Sequence, residues 1–134
     1  MKLINDRYRI NKEIYSNFFV EAYEVEDILN NQDKKFLKIY DSNLQKDLID
    51  YFIENQLKIR NIKHKNILES EEINIITTID SENTNSSMYY TLSERIEYIT
   101  VFDQLDQLNF HERLNILLDV IMTINFLHFR GITY

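Results

Sequence analysis

The 134 residues predict an α+β fold: a five-stranded antiparallel sheet with one inserted helix, followed by a mainly helical C-terminal segment. Three observations lead there. Short runs rich in aromatic and β-branched residues are punctuated by turn-forming residues. One stretch between the third and fourth runs carries apolar residues at helical spacing. The stretch after Asn109 is apolar over most of a helical circumference. The sequence thus divides into a sheet-forming unit, 1–96, and a helical unit, 97–134.

The elements follow in order. Residues 7–16 form a first strand, and Ser16-Asn17 is a turn signal. Phe18 to Ile28 is a second strand, Asn30-Asn31-Gln32-Asp33 a second turn, and Lys35 to Tyr40 a third strand. Ser42 caps a helix, with Gln45 at the reciprocal capping-box position. That helix runs to about Ile62, with Leu48, Phe52, Asn55, Ile59 and Ile62 on its inward face. Asn55 is the one polar residue of the stripe. Ile67 to Thr77 and Met88 to Ile96 are two more strands, joined by a mobile polar loop over Asp80 to Ser87. A short helix spans Thr100 to Leu108. Asn109 and Glu112 form the capping box of the last helix. Leu114, Leu117, Leu118, Ile121 and Ile124 share one face of it and can pack on the rest of the chain. Ile116, Val120 and Leu127 widen that face on one side, Met122 and Phe129 on the other. Asn115, Asp119, Thr123 and Arg130 form the remaining polar strip.

Composition excludes several classes. Hydrophobic content of 44% and charged content of 28% are ordinary for a globular domain. A net charge of −7 argues against a nucleic-acid partner, which calls for clustered Lys and Arg. Without cysteine there is no disulfide framework and no thiolate chemistry, which suits a reducing cytoplasm. No apolar run follows Lys2, so the start does not read as a signal peptide, and no segment is apolar for long enough to span a bilayer. His64, His111 and His128 share no metal-ligand spacing, so no metal site is expected. Glu69, Glu71 and Glu72 read as a solvated strand edge, and the nine tyrosines as core and cleft aromatics.

Several short segments carry a resemblance. Leu127-His128-Phe129-Arg130-Gly131-Ile132 is similar to the Leu-His-x-x-Gly-Ile that precedes the catalytic loop of eukaryotic-type serine/threonine protein kinases. His64-Lys65-Asn66-Ile67 resembles their His-Pro-Asn-Ile turn. Ile14 to Tyr23 lies on their glycine-rich loop, with Ile14, Phe19 and Tyr23 matching and all three glycines replaced, by Tyr15, Asn17 and Val20. Bare backbone is what lets such a loop approach phosphate oxygens. The resemblance implies a degenerate kinase small lobe and the first helices of a truncated large lobe.

That resemblance also implies a remnant nucleotide site. Lys38 falls at the lysine that binds the α- and β-phosphates. Asn55, or Glu54 after a shift of one residue, falls at its helical partner. Phe36 stands where a small alanine roofs the adenine, and Ala22 where valine is usual; together they fill the pocket. Ser93 takes the gatekeeper position, or Leu92 after a shift of one residue, and Glu94 lies in the hinge. Tyr134 stands where the catalytic loop would begin. The chain alone is therefore expected to carry no catalytic residue and no cofactor, with ATP and Mg²⁺ entering only if it is the N-terminal fragment of an active kinase. The favoured expectation is a non-catalytic, pseudokinase-like regulatory or interaction module of a multidomain bacterial signalling protein. An unrelated α+β interaction domain is the other alternative. The expected partners are proteins or further domains of the same chain, with a homodimer through the C-terminal helix.

Overall fold

The computed structural model describes residues 2–40, 46–95, 97 and 101–133. The Ser42–Gln45 capping box, Ile96, Thr100 and Tyr134 lie outside these. The chain divides into two compact units, 1–62 with 69–95, and 63–68 with 96–134.

The first unit is a closed antiparallel barrel. Its strands are β1 (Leu3–Ile4), β2 (Tyr8–Ser16), β3 (Val20–Asp27), β4 (Asp33–Tyr40), β5 (Ser70–Ile79) and β6 (Glu82–Glu94), with helix α1 (Lys46–Arg60) between β4 and β5. Around the barrel the order is β1-β2-β3-β4-β6-β5, and β5 returns to β1. This overturns the expected open five-stranded sheet, and with it the kinase small lobe, its pseudokinase description and its degenerate nucleotide site. The cause is a sixth strand. Leu3 and Ile4 pair with Arg9 and Tyr8 on one side, and Ile4 pairs with Ile79 on the other. Asn5 completes this narrow seam with its side chain. Its Oδ1 accepts from the amides of Thr77 at 2.7 Å and Thr78 at 3.2 Å, and its Nδ2 donates to the Ile75 carbonyl at 2.9 Å. Closure removes the free sheet edges that an open sheet would expose.

Three hairpin turns are built without glycine. Asn5-Asp6, Asn31-Gln32 and Asp80-Ser81 all have positive φ, between 49° and 65°. Two successive left-handed residues give the turn twist that matches antiparallel strands. Asn and Asp tolerate that conformation better than most residues. The polar tract expected as a mobile loop is instead the start of β6, because Asp80-Ser81 closes a two-residue hairpin and pairs Glu82 with Ile79 and Asn83 with Thr78.

Alternation along the strands fills the interior. Ile4, Tyr8, Val25, Leu37, Ile39, Ile76, Tyr90 and Leu92 form one buried cluster, with Ile10, Tyr23, Ile79 and Met88 packed against it. Helix α1 buries Ile49, Asn55 and Ile59, and the Phe52 ring lies 4.3 Å from that of Tyr40. Leu48, expected inward, is 54% exposed. Ile49, its apolar neighbour, is buried in its place, while Asn55 and Ile59 face inward as the spacing predicts.

The second unit holds α2 (Val101–Gln104) and α3 (Phe110–His128). At the start of α3, Asn109 Oδ1 accepts from the Glu112 amide at 3.0 Å, and Glu112 Oε2 accepts from the Asn109 amide at 2.7 Å. At its end Gly131 turns left-handed at φ +69°, and the Ile132 amide returns to the Leu127 carbonyl at 3.1 Å. Glycine is the common residue at such a stop. The segment that resembled a kinase therefore has a local explanation, since many helices end this way.

Candidate functional site

The residues expected around Lys38 do share one outer face of the barrel. Leu37 and Ile39 point inward, so Phe36, Lys38 and Tyr40 point outward. Across the strands Ala22 pairs with Lys38 and Ser93 with Phe36, while Glu94 pairs with the next residue along, Lys35. Leu92 lies in the core instead. The Lys38 ammonium sits 5.5 Å from the Phe36 ring centroid, a cation–π distance. Phe36 thus meets its own strand neighbour. Burial pushes the Lys38 ammonium below the ordinary lysine value. On α1, Asn55 is the buried residue, while Glu54 is exposed and pairs with Lys58 at 2.8 Å. Among the described residues no carboxylate pairs with Lys38. Among the described residues the face therefore holds a half-buried lysine against an aromatic ring, without the paired acid that acid–base chemistry would use.

A second cluster was not foreseen. Where β2, β3, β5 and β6 meet, Arg7 forks onto Asp27 with bonds of 2.9 and 2.7 Å. Asp27 is 1% exposed. Glu72 accepts hydrogen bonds from Tyr8, at 2.8 Å, and from Tyr90, and lies 3.6 Å from Arg7. The two phenol rings meet edge to face at 5.7 Å. Glu72 is therefore no solvated edge residue. Its local sequence, Glu-Glu-Ile-Asn, gave no sign of it, because the partners come from 64 and 18 positions away. Burial pushes both phenols up, and the bonds to Glu72 add to that. Burial also works to raise Glu72, but the two phenols, Asn74 and Arg7 outweigh it and hold it low. The bond from Arg7 likewise holds Asp27 low against burial. Both carboxylates and both phenols are hydrogen-bonded within the cluster, so it reads as a structural clasp. Among the described residues no group of His, Asp and Glu is placed to hold a metal ion.

The third feature is α3. Within its own unit, the segment 63–68 lies on the polar strip of the helix. Lys65 pairs with Asp119 at 3.3 Å, Asn66 donates to Thr123 at 3.0 Å, and the His64 and Phe126 rings are 4.5 Å apart. The apolar face is left open. Leu114, Leu117, Leu118, Val120, Ile121, Met122 and Ile124 are 40–67% exposed. Leu114, Leu117, Leu118, Ile121 and Ile124, the face expected to pack on the rest of the chain, are 40–54% exposed. Within the unit, the strip that faces 63–68 is the polar one, and Asp119 and Thr123 both find partners there. Leu127 and Ile132 are buried. No helix among the described residues is long and apolar enough to cross a membrane. No family model matches the chain and no curated protein matches it, so the kinase resemblance finds no support there either.

Proposed function

We propose that the chain is a non-catalytic protein-interaction domain that pairs through α3, with a second copy of itself as the first partner. The observation that carries this reading is the open apolar face of α3. A contiguous exposed patch of large aliphatic side chains marks an interaction surface. A second copy suits the face because of its charge. Between Leu114 and Ile124 the one charged residue is Asp119, and Lys65 already pairs with it. Two copies can therefore meet there without like charges opposing, although each chain carries −7. A two-fold pair is the commonest arrangement for such self-complementary faces. The barrel then serves as the scaffold, and no cofactor enters this reading. A cytoplasmic setting suits a chain without cysteine.

Light scattering over a concentration series tests it. The expected result is a mass that rises from one chain toward two. A mass of one chain at every concentration sinks the self-pairing.

A further inference from the structure

The mouth of the barrel at the β2–β3 hairpin carries a second feature, in the first unit and independent of α3. A cleft of about 140 Å³ opens there, lined by Asn17, Phe18, Phe19, Val20, Glu21, Ile39 and Met88. Its floor is apolar, formed by Ile39 and Met88. Its rim holds two aromatic rings, Phe18 at 82% and Phe19 at 57% exposure, standing 5.2 Å apart at 87° to each other. The rings are held there by the turn: Asn17 Oδ1 accepts from the Phe19 amide at 2.9 Å and the Val20 amide at 3.0 Å. One lining residue is charged, the carboxylate of Glu21. It accepts from the Tyr23 hydroxyl at 2.6 Å, and among the described residues no lysine or arginine pairs with it. Glu13 faces Tyr23 across the strands and adds a second negative charge nearby. None of the lining residues is basic.

Perpendicular aromatic rings beside a carboxylate that meets no cation among the described residues, over an apolar floor, suit one ligand chemistry. Ring faces attract a cation, most of all one that is weakly hydrated. Methyl groups on that cation would meet Ile39 and Met88, and Glu21 would neutralise its charge. The volume is close to that of an apolar cavity of about 150 Å³ that takes a benzene ring, and a trimethylammonium head is of similar bulk. The geometry points to a site for a quaternary or alkylated ammonium group at the mouth of the barrel, held by Phe18, Phe19 and Glu21.

Methyl NMR of ¹³C-methionine-labelled protein titrated with choline chloride tests this. Met88 reports on the cleft, and Met122 on α3 is the control. The site predicts a saturable shift of the Met88 methyl, with none for the neutral isostere 3,3-dimethyl-1-butanol. It also predicts binding about tenfold weaker in Phe18→Ala and in Glu21→Gln, both exposed positions whose replacement leaves the core intact. Flotation with phosphatidylcholine vesicles separates two sources of the head group. A choline shift without flotation assigns the site to a free solute, and flotation lost in Phe18→Ala and Glu21→Gln assigns it to a lipid head group. A Met88 shift of equal size with the neutral alcohol overturns the cation site. So does the absence of a saturable shift with choline and of flotation.

Discussion

The barrel and the C-terminal helix use the same residue types in opposite ways. Leu37, Ile39, Ile76 and Leu92 are at most 5% exposed, while Leu117, Leu118, Ile121 and Ile124 are 44–54% exposed. The difference is one of layers. A barrel is a sheet closed on itself, so each inward side chain meets others from neighbouring strands. Helix α3 has within its unit a short segment that covers its polar strip, and no second layer for its apolar face. Apolar residues therefore mark a core only where topology supplies an opposite wall. Where it does not, they mark a surface for something else.

The sharpest way to break this comparison is to make one substitution in both regions. Leu37→Ala should destabilise the barrel by about 3 kcal/mol, from lost burial plus the cavity left behind. Leu117→Ala, at an exposed site, should change the stability of the single chain by no more than about 0.5 kcal/mol. Urea denaturation at low protein concentration measures both. Equal losses at the two sites would mean that α3 is packed like the core.

The clasp comes next in size. Glu72→Ala should cost about 2 kcal/mol, because it leaves the buried hydroxyls of Tyr8 and Tyr90 without their acceptor. Adding Tyr8→Phe and Tyr90→Phe in the same background should recover most of that loss, since apolar replacement of all partners is nearly neutral. A triple variant as unstable as Glu72→Ala would show that the phenol bonds are not what Glu72 supplies.

Acid should act on the barrel through the same groups. Asp27 and Glu72 are held below their ordinary values of 3.8 and 4.5. A depressed carboxylate contributes its stability above the unfolded value and loses it as the pH falls through the folded one. Barrel stability should therefore be level near neutrality and fall below pH 4.5. Asp27→Asn combined with Glu72→Gln should flatten that fall. An unchanged slope in the double variant would place the acid response elsewhere.

The smallest effect belongs to the turns. Gln32 sits at φ 60°, where a side chain is strained and glycine is not. Gln32→Gly should stabilise by about 0.5 kcal/mol, the relief of strain less the greater freedom of the unfolded chain. A destabilisation seen by thermal melting would mean that Gln32 makes a contact worth more than its strain.

Much of the local structure was legible because its causes are local. The turn at Asn30 to Asp33 follows from asparagines, of which Asn31 takes up the left-handed backbone, and the Asn109–Glu112 box from a spacing of three. What was not legible depended on distant partners. Two residues, Leu3 and Ile4, are too few to show a strand period, yet they close the barrel. Asn5 gives no hint that it bonds to Thr77 and Thr78. At the start of α1, Leu48 and Ile49 are both apolar, and spacing alone did not tell which of them faces inward. The kinase-like segments misled because a glycine helix stop and a lysine in a strand have local causes common to many folds. Lys38, Phe36, Ala22 and Ser93 were named together through the kinase resemblance, and they are neighbours on β3, β4 and β6 for a simpler reason, the pairing of adjacent strands. The Glu72 clasp and the Phe18–Phe19 cleft were missed, since each joins residues from strands far apart in sequence.

The central claim, that α3 is the contact element, rests most directly on sedimentation equilibrium of the wild type beside Leu117→Glu/Ile121→Glu. The account predicts a reversible dimer for the wild type. It predicts a single-chain mass at the same concentrations for the variant, with the circular dichroism of the barrel unchanged. A variant that still pairs as tightly as the wild type would contradict it.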